Sequence, residues 1–244
     1  MGKHGQHRPL VIRWTTSLGL ILSGSPVLAE QCRLALALAM DISTSVDASE
    51  DALQRKGLAA ALIAPEVQEA FFISPQPVAL AVYEWSGGFN QKLLLDWHVI
   101  ETTADLVSAA HRIGQSKRST SDSPTAMGHA LAYGATLMGR APRCLFQTID
   151  ISGDGKNNDG YGPQIAYKHF PFENTTVNGL VINAADFEGE IDLIPFFQNN
   201  VLHGPGAFLE IAAGFDDFER AMRRKLEREL KGVELSALQS DVVE

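Results

Sequence analysis

The sequence predicts an α/β domain built on a doubly wound, mostly parallel six-stranded sheet with one antiparallel edge strand. Three observations predict it. Short apolar runs alternate along the chain with stretches of helical spacing, the pattern of strands joined by crossover helices. The first run, Arg33 to Met40, alternates Leu and Ala with no polar interruption, which suits a central strand covered on both faces. Two later runs are separated only by Ser86-Gly87-Gly88 and three further residues, which places a hairpin at one edge.

The elements follow in order. After the first strand, Asp47 and Glu50 have the spacing of a capping box, and Ala48 to Leu62 reads as a helix. Pro77 to Trp85 and Lys92 to Ile100 are the hairpin strands. Thr103 to Ile113 is helical, with Leu106, Ala109, Ala110 and Ile113 on one side. A polar loop over 114–124 leads into a helix from Thr125 to Met138. Leu145 to Ser152 is the fourth strand, followed by Gly153-Asp154-Gly155 and a loop rich in Asn, Asp and Gly. Val177 to Asn183 and Ala207 to Ala212 complete the sheet, with a short helix from Ile191 to Val201 between them. Asp217 to Leu230 places Phe218, Met222, Leu226 and Leu230 four residues apart with charged residues in the gaps, an amphipathic helix closing over the core.

Of 244 residues, 45% are apolar and 20% charged, the composition of an ordinary globular chain. A net charge of -9 argues against nucleic acid as a partner. Residues 1–29 form a separate object. Lys3, Arg8 and Arg13 precede an apolar stretch from Trp14 to Leu22, and Val27-Leu28-Ala29 ends it in the manner of a secretory signal. The stretch is too short to span a bilayer, which takes about 20 apolar residues. Cleavage after Ala29 would leave 215 residues with net charge -12. The expected organisation is a signal peptide over 1–29, one domain over 30–231 and a flexible tail over 232–244. The mature chain is expected in the periplasm or secreted, without stable membrane insertion.

In an open sheet of this kind, ligands bind beyond the carboxyl ends of the strands where strand order reverses. Asp41-Ile42-Ser43-Thr44-Ser45 follows the first strand, Asp154 follows the fourth, and Thr125 opens the third helix. Two carboxylates and three hydroxyls are hard oxygen ligands suited to Mg²⁺ or Mn²⁺. Each element taken alone has a plainer reading: Asp and Ser as loop or cap residues, Thr125 as an N-cap, Asp154-Gly155 as a turn. Their shared placement at one sheet edge favours the metal.

These residues, in this order, resemble the metal-ion-dependent adhesion site of von Willebrand factor A domains, a Rossmann-like fold. The resemblance covers about residues 32–231, and Ile149 to Gly155 with Asn157-Asn158 resembles a bacterial secreted family of such domains with no assigned function. It implies that Ser43 and Ser45 bind the metal directly, that Asp41 and Asp154 act through water or hydrogen bonds, and that Thr125 switches between the two. It further implies that a partner protein presents an Asp or Glu to the open position. Gly153 departs from the Thr often found before the second Asp, and Ser123 is a fallback for Thr125.

Other chemistry fits less well. Asp150-x-Ser152-x-Asp154-Gly155 resembles the start of a calcium loop, but Tyr161 stands where a bidentate Glu is needed. A Mg²⁺-dependent hydrolase using Asp41 as nucleophile is the alternative enzyme reading, though Ser43 stands where a second acid would be expected. Lys117-Arg118 reads as a solvated loop or as a patch steering an acidic partner. Trp85 and Trp97 read as packing residues or as a partner-binding surface. Cys32 lies nine residues before Asp41, and Cys144 ten before Asp154. If the first and fourth strands are neighbours, the two cysteines sit level and a disulfide joins them at the sheet end opposite the metal.

Overall fold

The computed structural model describes residues 1–2, 32–183 and 192–241, with side chains to residue 232; residues 3–29 of the expected signal segment lie outside these. Six strands form one sheet in the order β3-β2-β1-β4-β5-β6. They are β1 (Cys32–Asp41), β2 (Val78–Trp85), β3 (Gln91–Ile100), β4 (Cys144–Gly153), β5 (Thr175–Ile182) and β6 (Leu209–Ala212). All neighbours are parallel except β2 and β3, the edge hairpin. The chain winds outward from β1 to β3, then returns to β4 and winds the other way. The reversal lies between β1 and β4.

β1 is buried along its whole length, and its Leu/Ala alternation divides the core into two. Leu34, Leu36, Leu38 and Met40 face α1 (Ala48–Leu62), α2 (Pro65–Phe71), α3 (Thr103–Gly114) and α7 (Phe218–Asp241). Ala35, Ala37 and Ala39 face α4 (Met127–Met138), α5 (Pro163–His169), the short α6 (Leu193–Phe196) and the π-helical turn Phe197–Val201. The alanine face lets α4 approach closely. A Cβ at Gly134 would meet the Tyr83 hydroxyl at 2.7 Å and Ile149 Cδ1 at 2.9 Å, so only glycine fits there.

The capping box at Asp47 and Glu50 forms as the spacing predicts. Two helices escaped the sequence pattern. α2 and α5 are seven residues each, too short for a clear period, but each carries Pro in its first turn, a helix-start signal. α7 runs from Phe218 to Asp241, and no proline follows Gly232 to stop it. Cys32 and Cys144 are register partners and are joined by a disulfide with a Cα–Cα distance of 4.4 Å. Beside it the buried Arg33 donates to the carbonyls of Ala70, Phe71 and Leu230, tying the end of α2 and the middle of α7 to the start of β1.

Candidate metal centre

At the opposite end of β1 and β4, where the winding reverses, the five predicted residues come together. Asp41 ends β1 and is fully buried. Its Oδ1 accepts from the Ser43 N–H at 2.7 Å, which turns the chain so that Ser43 and Ser45 face one another, their Oγ atoms 3.1 Å apart. Ser45 Oγ donates to Asp154 Oδ1 at 2.7 Å. Thr125 completes the group around Gly155: a Cβ built there would lie 3.6 Å from Thr125 Oγ1 and 3.9 Å from Ser45 Oγ. The carbonyl of the fallback residue, Ser123, accepts from Thr44 N–H and Oγ1 at 2.9 and 2.8 Å.

Thr125 is not a helix cap. The N-cap of α4 is Ala126, which has no capping side chain, and the Gly128 N–H is satisfied by Asn157 Oδ1 at 3.1 Å. The Thr125 N–H donates to Asn158 Oδ1 at 2.8 Å, which fixes the segment that carries it. Gly153 also has a reason. A Cβ there would lie 3.1 Å from Asp41 Oδ2 and crowd the carboxylate.

Asp41 Oδ2 is buried with no hydrogen-bond partner among the described residues. Burial, then the neighbouring Asp154 charge, pushes the Asp41 carboxyl up to about 8; the Ser43 N–H and Arg118 pull the other way. A buried, half-satisfied carboxylate facing a second acid is the environment a cation would relieve. The donor set is two carboxylates and three hydroxyls. No group of three or more His, Cys, Asp or Glu able to hold a metal is found among the described residues, so an ion held here would rest on the hydroxyls as well as on the two carboxylates.

Several positioning residues carry no local sequence signal. Arg118 points inward rather than to solvent: its guanidinium donates to Ile42 O and Ser43 O at 2.8 and 2.9 Å and to Val46 O at 2.5 Å. It clamps the serine loop. Gln54 Nε2 donates to Asp41 O at 3.0 Å. Buried Glu84 takes Arg55 at 2.5 Å and the Ser119 N–H at 3.0 Å, fixing the loop before Thr125. The calcium-loop reading fails because Asp150 lies in a strand and pairs with Lys225 Nζ at 2.6 Å.

Strand order and helices on both faces are those of the von Willebrand factor A fold. The chain belongs to the family described as a protein of unknown function, DUF1194, whose model matches residues 31–234. No curated protein matches the sequence. Proximal thread matrix protein 1 from the mussel byssus, solved with zinc in its adhesion-site motif, is similar at 19% identity and TM-score 0.56 over 83% of this chain and 49% of that one. A von Willebrand factor type A protein from Catenulispora acidiphila is similar at 17% identity and TM-score 0.54, over 82% and 43%. The pilus adhesin SpaC from Lactobacillus rhamnosus GG, in its open conformation, is similar at 12% identity and TM-score 0.58, over 84% and 31%. The chain spans about half or less of the length of these proteins.

Proposed function

We propose that this chain is an exported binding module that holds one divalent cation, Mg²⁺ or Mn²⁺, with Asp41, Ser43, Ser45, Thr125 and Asp154. Through that cation it captures an Asp or Glu of a partner protein. The observation that carries this reading is the orphaned Asp41 Oδ2, buried beside a second carboxylate at the switch point of the sheet. When bound, the cation would supply a Lewis-acid position for an outside carboxylate. The chain's own residues do the rest. Ser43 and Ser45 present neutral oxygens, Asp41 orients the loop through the Ser43 N–H, and Asp154 orients Ser45. Arg118 and Glu84 keep the two loops in register.

Binding is favoured over hydrolysis because Asp41 is fully buried, which leaves no approach for attack on a phosphoryl centre. Export is supported by the basic and apolar segment over 1–29 and by the disulfide, which suits an oxidising compartment such as the periplasm or the cell exterior. The zinc-occupied site of the mussel protein and the adhesin role in the SpaC name supply the same direction. Among the described residues, no helix is long and apolar enough to cross a membrane.

Calorimetry tests the reading directly. Mg²⁺ and Mn²⁺ titrated into the wild type should give a one-site isotherm that Ser43→Ala weakens at least about tenfold. Absence of binding by either ion would remove the proposal. Metal-dependent phosphoester turnover lost in Asp41→Asn would replace it with the hydrolase.

A further inference from the structure

The edge hairpin turns beside the candidate metal centre. Trp85 O accepts from the Ile42 N–H at 2.8 Å and Ser86 O from the Ala126 N–H at 2.9 Å. The turn over 86–90 therefore leaves the sheet between the loop that carries Ser43 and Ser45 and the segment that carries Thr125. It is braced throughout. Ser86 N–H donates to Asn90 O and Asn90 N–H to Gly87 O, both at 3.1 Å. Asn90 Nδ2 donates to Ser86 Oγ at 2.6 Å, and Gly88 N–H to Asp159 Oδ2 at 3.1 Å. Gly87 rests against Pro124 and Ser123, and Gly88 against the ring of His129, which stacks on Tyr161.

Phe89 stands at the tip of this turn, 103% exposed. Apart from Met1 at the chain start, the next most exposed large apolar residue among those described is Ile73, at 49%. The others still bury one flank. Phe89 buries none, so its ring contributes nothing to folding through the hydrophobic effect. The sequence marked the aromatics of this hairpin as a candidate partner surface, but Trp85 is fully buried and Trp97 is occupied by packing and a 3.0 Å bond to Leu137 O. The exposed aromatic is Phe89. A ring on a turn already fixed by hydrogen bonds loses little freedom on binding, which is the property of a good anchor.

We infer that Phe89 is the apolar anchor of the binding face, and that the partner is a protein segment with a large apolar side chain within a few residues of its Asp or Glu. The carboxylate goes to the metal centre and the apolar side chain packs on Phe89 and the neighbouring His129–Tyr161 stack. This inference rests on the metal-site reading above.

The test uses the full chain in millimolar Mg²⁺ with short fluorescent peptides carrying a central Glu. One set flanks the Glu with Leu and Phe, the other with Gly and Ser. The apolar-flanked set should bind about tenfold more tightly. Phe89→Ala should erase that preference while leaving the Mg²⁺ isotherm and the melting temperature unchanged, and Phe89→Trp should keep it. Mg²⁺-dependent binding without a flank preference, or a preference that survives Phe89→Ala, would overturn the anchor and leave the metal site standing. So would Mg²⁺ binding with no peptide bound. Loss of Mg²⁺ and Mn²⁺ binding in the wild type would instead overturn the metal site, and the anchor with it. Mg²⁺-independent binding to phosphatidylglycerol vesicles, lost in Phe89→Ala, would replace the protein partner with a lipid surface.

Discussion

Two acidic pairs flank the same sheet, each with one carboxyl buried on a strand, Asp41 on β1 and Asp150 on β4, and they are treated differently. At the switch point, Asp41 sits beside Asp154 with hydroxyls for company. Between the sheet and α7, Asp150 sits beside Glu229 with the fully buried Lys225 between them, at 2.6 Å from the first and 3.9 Å from the second. Burial is the main force raising a carboxyl in each pair: Asp41 to about 8 and Glu229 to about 8. Asn178 adds a 3.0 Å hydrogen bond to Glu229, and its own Oδ1 accepts from the Phe208 N–H at 2.9 Å. The lower cluster has its cation built in, and it is part of the fold. The upper one has Arg118 nearby, but that guanidinium is committed to backbone carbonyls. A site left short of positive charge by its own chain is one that an outside cation can complete.

The largest effect should come from taking the internal cation away. Lys225→Met leaves two buried acids without a counter-ion and should cost about 3–5 kcal/mol in urea unfolding. Supplying the external cation should act on the other cluster alone. Mg²⁺ at a hundredfold excess over its wild-type dissociation constant should add about 2.7 kcal/mol to wild type, and about half of that or less to Ser43→Ala. An equal gain in both proteins would place the ion elsewhere.

Glu229 should give a pH signature. Its folded carboxyl lies above the ordinary 4.5, at about 8, so the folded chain keeps a proton that the unfolded chain has released. The stability this contributes is complete below the ordinary value and is lost as pH rises through about 8. Glu229→Gln should flatten that decline and leave the variant about 2 kcal/mol more stable than wild type at alkaline pH. The smallest effect should be at Asp41. With chelator present at alkaline pH, Asp41→Asn should be about 1 kcal/mol more stable than wild type, because it removes one of two opposed carboxylates, while losing the response to Mg²⁺. A loss of stability there would mean that the carboxylate is structural.

The two clusters were not equally legible in the sequence. Asp41, Ser43 and Ser45 lie on alternate residues of one loop, and Asp154 and Thr125 announce themselves by following a strand and opening a helix. Lys225 and Glu229 read as solvent-facing charges in an amphipathic helix, yet both are buried. Their partner is on a strand far away in sequence, and nothing in the helical spacing separates a charge aimed at water from one aimed at Asp150. The clamping roles of Arg118 and Gln54 were hidden for a related reason. Their acceptors are backbone carbonyls, which every residue carries. The cysteine pair was legible because strand order alone sets its two members level.

That pair has a consequence for accuracy at the far end of the sheet. Side chains alternate along a strand, so a slip of one residue between β1 and β4 would turn Asp41 to the wrong face and pull its loop away from Asp154. Cys32 and Cys144 are bonded across the start of the same two strands, 112 residues apart in the chain. The bond therefore works as the zero mark of a ruler. Counting nine residues along one strand and ten along the other from that mark arrives at Asp41 and Asp154.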